Sequence, residues 1–142
     1  MDATEPEGWP GVLHREGRTL CRLARDPSES GTGPAAKGQG VVFHNPAMSG
    51  SRTRSVLLLQ HCIEAGLLGD GSIYALDGLS ATGLRARRWL NELPAKSAAR
   101  ISATMGDMDP AALNWAMRCH EEFPPEHGEG ELLPHLGDLR KS

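Results

Sequence analysis

With 142 residues, 39% of them hydrophobic and 23% charged, the chain has the size and composition of one soluble globular domain rather than of a disordered segment. Its three cysteines, Cys21, Cys62 and Cys119, form no Cys-x-x-Cys pair, which excludes a disulfide framework and a zinc knuckle and fits a reducing compartment. No apolar run approaches the roughly 20 residues of a membrane span, and Asp2, Glu5 and Glu7 carry the wrong charge for a secretory or mitochondrial leader, so a cytoplasmic or nuclear location is expected.

In chain order, residues 1–40 read as an N-terminal arm followed by a flexible loop, and 41–142 as the ordered domain. Apolar residues flank Glu16-Gly17 within 12–23, a pattern that suits either a weak hairpin or an irregular tail. Residues 26–40 mix Gly, Pro, Ser and Thr without apolar periodicity and read as a surface loop. Val41 to Phe43 is a short strand-like run stopped at Asn45-Pro46. Val56, Leu59 and Ile63 then share a helical face over 53–66, closed by Gly66.

Ser72 to Leu76 predicts a buried strand, Leu84 to Leu93 a helix ended by Pro94, and Arg100 to Met105 a second strand. Asp109-Pro110 supplies a cap and a first-turn proline for a helix with Leu113, Ala116, Met117 and His120 on one face, which stops near Pro124-Pro125. Leu132 to Leu136 predicts a third strand despite Pro134. Strands and helices alternating at this spacing define an α/β fold, a partial, Rossmann-like doubly wound parallel sheet of about three strands. Trp89 and Trp115 read as core residues, and Trp9 carries no signal.

Charge does not announce a nucleic-acid partner. The net charge is −3, with 12 basic and 10 acidic side chains in 1–100 against 3 and 8 in 101–142. The cluster Arg85, Arg87, Arg88, Lys96 and Arg100 against Glu92 reads as a solvated helix face ahead of a phosphate contact.

Ligands of parallel α/β sheets sit outside the carboxyl ends of the strands. There the sequence places Asp77-Gly78-Leu79-Ser80-Ala81-Thr82-Gly83-Leu84-Arg85, a turn of small residues that lets a ligand approach backbone N–H groups. A phosphate-binding P-loop fails, because Leu84-Arg85 stands where Lys and Ser/Thr are needed. The dinucleotide fingerprint fails as well, since Ser80 occupies its second glycine. Asp107 ends the second strand, where a carboxylate can accept both hydroxyls of a ribose, and Asp138 closes the third, where one can accept an adenine amino proton. The set fits adenosine attached to an amino acid. Cys119, His120, His127 and His135 match no metal spacing, so no metal is expected.

The runs Phe43-His44-Asn45-Pro46-Ala47-Met48, Arg52-Thr53-Arg54-Ser55-Val56 and Asp77 to Arg85, in this order and spacing, resemble the tRNA guanine-26 N2-dimethyltransferase family, whose cofactor is S-adenosylmethionine. Gly106-Asp107-Met108-Asp109-Pro110 is similar to that family's second motif, Gly137-Asp138-Leu139 to its third, and Glu16-Gly17 to the Glu-Gly of its N-terminal arm. The resemblance implies Arg52 and Arg85 near the methionine part of the cofactor, Asp107 at the ribose, Asp138 with Leu139 at the adenine, and Asp77, Ser80 and Gly83 in the cofactor loop. It implies tRNA as partner and methylation of the N2 amine of guanine as activity. His44 stands where the family usually has Tyr or a similar residue, and Thr53 where it usually has Asp. The family's Asp-Pro-aromatic-Gly motif, on a fourth strand, does not occur in these 142 residues. The chain therefore reads as the N-terminal, cofactor-binding portion of a methyltransferase domain, catalytically incomplete alone. A noncatalytic binding module and a methyltransferase with another substrate are the alternatives.

Overall fold

The computed structural model describes residues 5–24 and 42–138. The expected loop at 26–40, Val41 and Leu139 lie outside the described residues. The chain opens with a hairpin, β1 (Val12–Glu16) and β2 (Thr19–Leu23), paired antiparallel with Glu16 opposite Thr19. A 3-10 turn (Pro46–Met48) leads into α1 (Ser49–Glu64), followed by β3 (Ile73–Asp77), α2 (Leu84–Glu92), a single turn α3 (Ala95–Ala98), β4 (Ile101–Asp107), α4 (Pro110–Glu122) and β5 (Glu131–Leu136).

The strands β3, β4 and β5 form a parallel sheet in that order, with Ile73 beside Ile101 and Ala103 beside Leu132. Pro134 is tolerated because β5 bonds to β4 on one side only, and an edge strand can dispense with a ladder donor. This is a partial Rossmann-like α/β fold.

Side chains alternate across each strand, and the face of Ile73, Ile101, Ala103, Met105 and Leu132 packs against Trp89, Leu90 and Leu93 near α2 and Leu113 and Ala116 of α4. The opposite face leaves Tyr74 (83% exposed), Leu76 (57%) and Leu133 (43%) open among the described residues. Val56 buries against the same core, with Leu59 and Ile63 half-buried, so the stripe of α1 does face inward. No helix among the described residues is long and apolar enough to cross a membrane.

A second core joins the hairpin to the helices. Cys21 and Leu23 of β2 meet Leu84, Ala112, Trp115, Cys119 and Val42. Val42 and Phe43 form no strand: Asn45 accepts from Ala47 N–H with its side chain and opens the 3-10 turn, and Val42 fills this core instead of a ladder. The helix at 53–66 begins earlier than expected, at Ser49, directly on that turn. Trp89 and Trp115 are buried, as their sequence context predicts, and Trp9 packs edge-on to Trp115 with ring centroids 5.0 Å apart.

One expectation fails on α2. Arg87 and Arg88 are not on a solvated face but 0% and 3% exposed. The sheet, α1 and the hairpin cover this helix on several sides, so its arginines turn to partners inside. Arg87 Nη2 donates to the Phe123 carbonyl at 3.0 Å, while Arg88 pairs with Glu92 and Glu16. Burial lowers the pKa of Arg87, whose Nε and Nη1 lack a hydrogen-bond partner among the described residues.

Candidate functional site

The turn after β3 and the turn after β4 meet at the carboxyl end of the sheet. Gly83 (φ +74°) starts α2 in the left-handed region, and a β-carbon there would lie 2.5 Å from that of Ala116 and 2.6 Å from Met105 Sδ. Only glycine fits this approach. Ala81 is also left-handed at φ +46°, held by its N–H donating to Asp107 Oδ2 at 2.9 Å. Asp107 Oδ1 accepts from Asp109 N–H at 2.9 Å, and Ser80 N–H donates to the Gly106 carbonyl at 3.0 Å. One carboxylate thus locks the two turns together and keeps further lone pairs for a ligand.

These turns, the 43–48 segment and the start of α2 enclose a cavity of about 570 Å³ that Arg52, Asp77, Ser80, Arg85 and Asp107 all line. Five of the residues singled out from sequence are thereby brought together. Gly83 shapes the turn without lining the cavity, and Asp138 is not among its lining residues, although Gly137 N–H donates to the Asp107 carbonyl and ties the end of β5 to that of β4. A wider hollow of about 860 Å³ between the hairpin and the ends of α2 and α4 contains none of those residues. The smaller cavity is where the chemistry converges.

Asp77 is 7% exposed and its pKa is raised, because burial outweighs the opposing Arg85 charge and the N–H groups of Ala86 and Leu79. Its Oδ2 and Ser80 Oγ are buried without a hydrogen-bond partner among the described residues. Leu79 (89% exposed), Met108 (68%) and Met48 (41%) supply apolar surface around the same cavity.

Both cations are anchored from behind. Arg85 donates to the carbonyl and the hydroxyl of Ser51 at 3.1 and 3.0 Å. Arg52 donates through Nε and Nη2 to the two oxygens of Glu16 at 2.7 and 2.8 Å, and through Nη2 to the Asn45 carbonyl. Glu16 also accepts from Arg88 Nη1 at 3.2 Å, and these two guanidiniums hold its pKa down against the opposing effect of burial. Thr53 Oγ1 accepts from the same Arg88 nitrogen at 2.9 Å.

Sequence reasoning missed Glu16 as a partner of Arg52; the Glu-Gly pair was its visible trace. It also missed His14, Glu16 and His44, the group among the described residues whose donor atoms come within 4.8 Å of one another. Glu16 is already engaged by two guanidiniums, whose charge opposes a further cation.

His44 borders the cavity edge-on to His14, with ring centroids 5.6 Å apart. Burial, helped by the Arg52 charge, pushes its pKa down to about 4, and burial with Arg87 does the same to His120. Both are therefore neutral in the fold at a pH where the unfolded chain, near 6.5, already takes up protons. Stability is lost wherever the unfolded state binds more protons as pH falls. The melting temperature should drop between pH 6.5 and 4, and Glu16 adds to the loss below 4.5, while Asp77, with its raised pKa, acts in the opposite sense. Thermal melts across this range would show it, and His44→Phe should flatten part of the slope.

A glycine-containing turn between two parallel strands, with an acid at the end of each, belongs to a Rossmann-like α/β protein. A family model, N2,N2-dimethylguanosine tRNA methyltransferase, matches residues 27–120, which is 94 of the 142 residues. The chain belongs to this tRNA methyltransferase family. No curated protein matches it.

Proposed function

We propose that this chain binds S-adenosylmethionine in the cavity at the ends of β3 and β4 and serves methylation of the N2 amine of guanine in tRNA. The observation that carries the reading is the convergence of Asp77, Asp107, Arg52 and Arg85 on one cavity in a chain of this family. The residues fit the group. Asp77 Oδ2 and Ser80 Oγ are buried polar atoms without partners among the described residues, the volume lies within the range of small-molecule sites, and Leu79 and Met108 offer apolar surface to a flat base.

In this reading Arg52 and Arg85 hold the methionine carboxylate in charge-assisted hydrogen bonds, and Asp107 accepts the ribose hydroxyls. Asp138 and Leu139, after β5, serve the adenine, and Asp77, Ser80 and Gly83 shape the loop. The bound cofactor supplies an electrophilic methyl group. The chain's own residues orient it and shield it from water at the sheet's carboxyl end. Residues 41–142 act as the cofactor-binding portion of the methyltransferase domain, preceded by an N-terminal arm and loop over 1–40, in the cytoplasm or nucleus.

Calorimetry should show saturable binding of S-adenosylhomocysteine, which Asp107→Ala weakens ten-fold or more. The loss of a charged hydrogen-bond partner costs about 1.5–3 kcal/mol. Tighter binding of NAD would overturn the reading in favour of an oxidoreductase.

The alternative reading is a binding module that holds the cofactor without transferring its methyl group. Guanine's exocyclic amine is a poor nucleophile and needs positioned acceptors near the reacting carbon. Transfer of a radiolabelled methyl group to tRNA by this chain alone would refute the module reading, and transfer to a different acceptor would point to another substrate.

A further inference from the structure

The N-terminal hairpin reaches the candidate site through one side chain. Glu16 ends β1 and is 7% exposed. The following Gly17 (φ +59°) presses so closely on α2 that a β-carbon there would lie 2.5 Å from Arg88 Nη2 and 2.6 Å from Glu92 Oε2. Arg18 N–H and the Thr19 hydroxyl both donate to Glu92, which fixes the turn further. The Glu16 carboxylate is therefore held in place before it meets Arg52.

Arg52 stands between this carboxylate and the cavity. The fork from Nε and Nη2 to Glu16, together with the Asn45 carbonyl, fixes the plane of the guanidinium. Nη1 makes no hydrogen bond among the described residues. Glu16 and Glu92 also balance the charges of Arg52 and Arg88, so the four side chains form a neutral cluster behind the cavity wall. An arginine so tied presents one edge in one orientation, whereas a free one samples many rotamers and loses entropy on binding.

We infer that Glu16 is a positioning residue: it aims the free edge of Arg52 into the cavity, so that the hairpin takes part in recognising the carboxylate at the amino-acid end of the ligand. The inference rests on the cofactor reading above, and its test separates the two. S-adenosylhomocysteine and 5′-methylthioadenosine share a nucleoside and a thioether, and only the first carries the amino-acid carboxylate. Each is titrated against the full chain and against Glu16→Asp, which keeps the charge and withdraws the carboxylate by one methylene.

Glu16→Asp should weaken S-adenosylhomocysteine about ten-fold, as expected for a lost charge-assisted hydrogen bond, and leave 5′-methylthioadenosine within two-fold. Arg52→Lys, which breaks the same fork from the other side, should show the same selective loss, and the double variant should be no weaker than Arg52→Lys alone. Should Glu16→Asp fail to fold, Glu16→Gln, which keeps the side-chain length and removes the charge, takes its place with the same selective loss expected. Equal weakening of both ligands would mean a purely structural role and overturn the inference. So would unchanged binding, or tighter S-adenosylhomocysteine binding, which would make Glu16 a competitor for Arg52. If the unaltered chain binds both ligands equally, the inference falls with the carboxylate roles of Arg52 and Arg85, and binding of the nucleoside in the cavity stands. If it binds neither, both fall.

Discussion

Trp115→Ala is expected to destabilise the chain by about 3–5 kcal/mol, the range for deleting a large aromatic from a packed core. Trp115 is 0% exposed at the centre of the second core, and its indole N–H donates to the Arg22 carbonyl of β2 at 2.7 Å. The substitution removes three things at once. It opens a cavity between α4 and the hairpin, leaves the Arg22 carbonyl without that donor, and deprives Trp9 of its edge-on partner. Small domains are stable by about 5–15 kcal/mol in total, so the loss takes a large share. Urea melts followed by far-UV circular dichroism should show a midpoint shifted far down. A shift of less than 1 kcal/mol would mean that the hairpin does not pack on α4.

Glu16→Ala should cost a similar amount, about 3–5 kcal/mol, because removing one member of a buried ion pair leaves a buried charge uncompensated. Here the stranded charge is Arg52, 8% exposed, since Arg88 retains Glu92. The double variant Glu16→Ala/Arg52→Met should therefore recover much of the loss, as an apolar side chain of similar length replaces the orphaned cation. Urea melts of the two variants test this. Equal stability of the single and double variants would show that Arg52 finds water or another partner once Glu16 is gone.

The parallel strands were legible because β3 and β4 bury one face against α2 and α4, and a buried strand must be written in apolar residues such as Ile73, Ile101 and Met105. The turn from Asp77 to Gly83 was legible because tight backbone approaches admit few residue types. The hairpin was ambiguous for a physical reason. Only β2 alternates buried and half-buried residues, while Val12 and Leu13 of β1 are exposed, so the strand period shows on one arm alone. The arginines of α2 were misread because charge predicts exposure only when no partner waits inside, and the Glu16 carboxylate lies 72 residues from Arg88 and the Phe123 carbonyl 36 residues from Arg87 in sequence. The turn α3 left no trace, being a single turn after Pro94. Of the candidate site, the residue types were readable, but not that Arg52 and Arg85 are both anchored from behind.

The order β3, β4, β5 runs in one direction only, so among the described residues the sheet contains no reversal of strand order, and β3 keeps an edge without a partner. In sheets of this kind the ligand crevice lies where the order reverses. A strand added beside β3 would create that reversal next to Asp77 and would cover apolar surface near Tyr74 and Leu76. Anything that pairs with this edge and also borders the cavity is thermodynamically linked to the ligand. By reciprocity, each then changes the other's binding by the same factor. Affinity for a small molecule measured on this chain would thus report the occupancy of an edge one strand away from the atoms it touches.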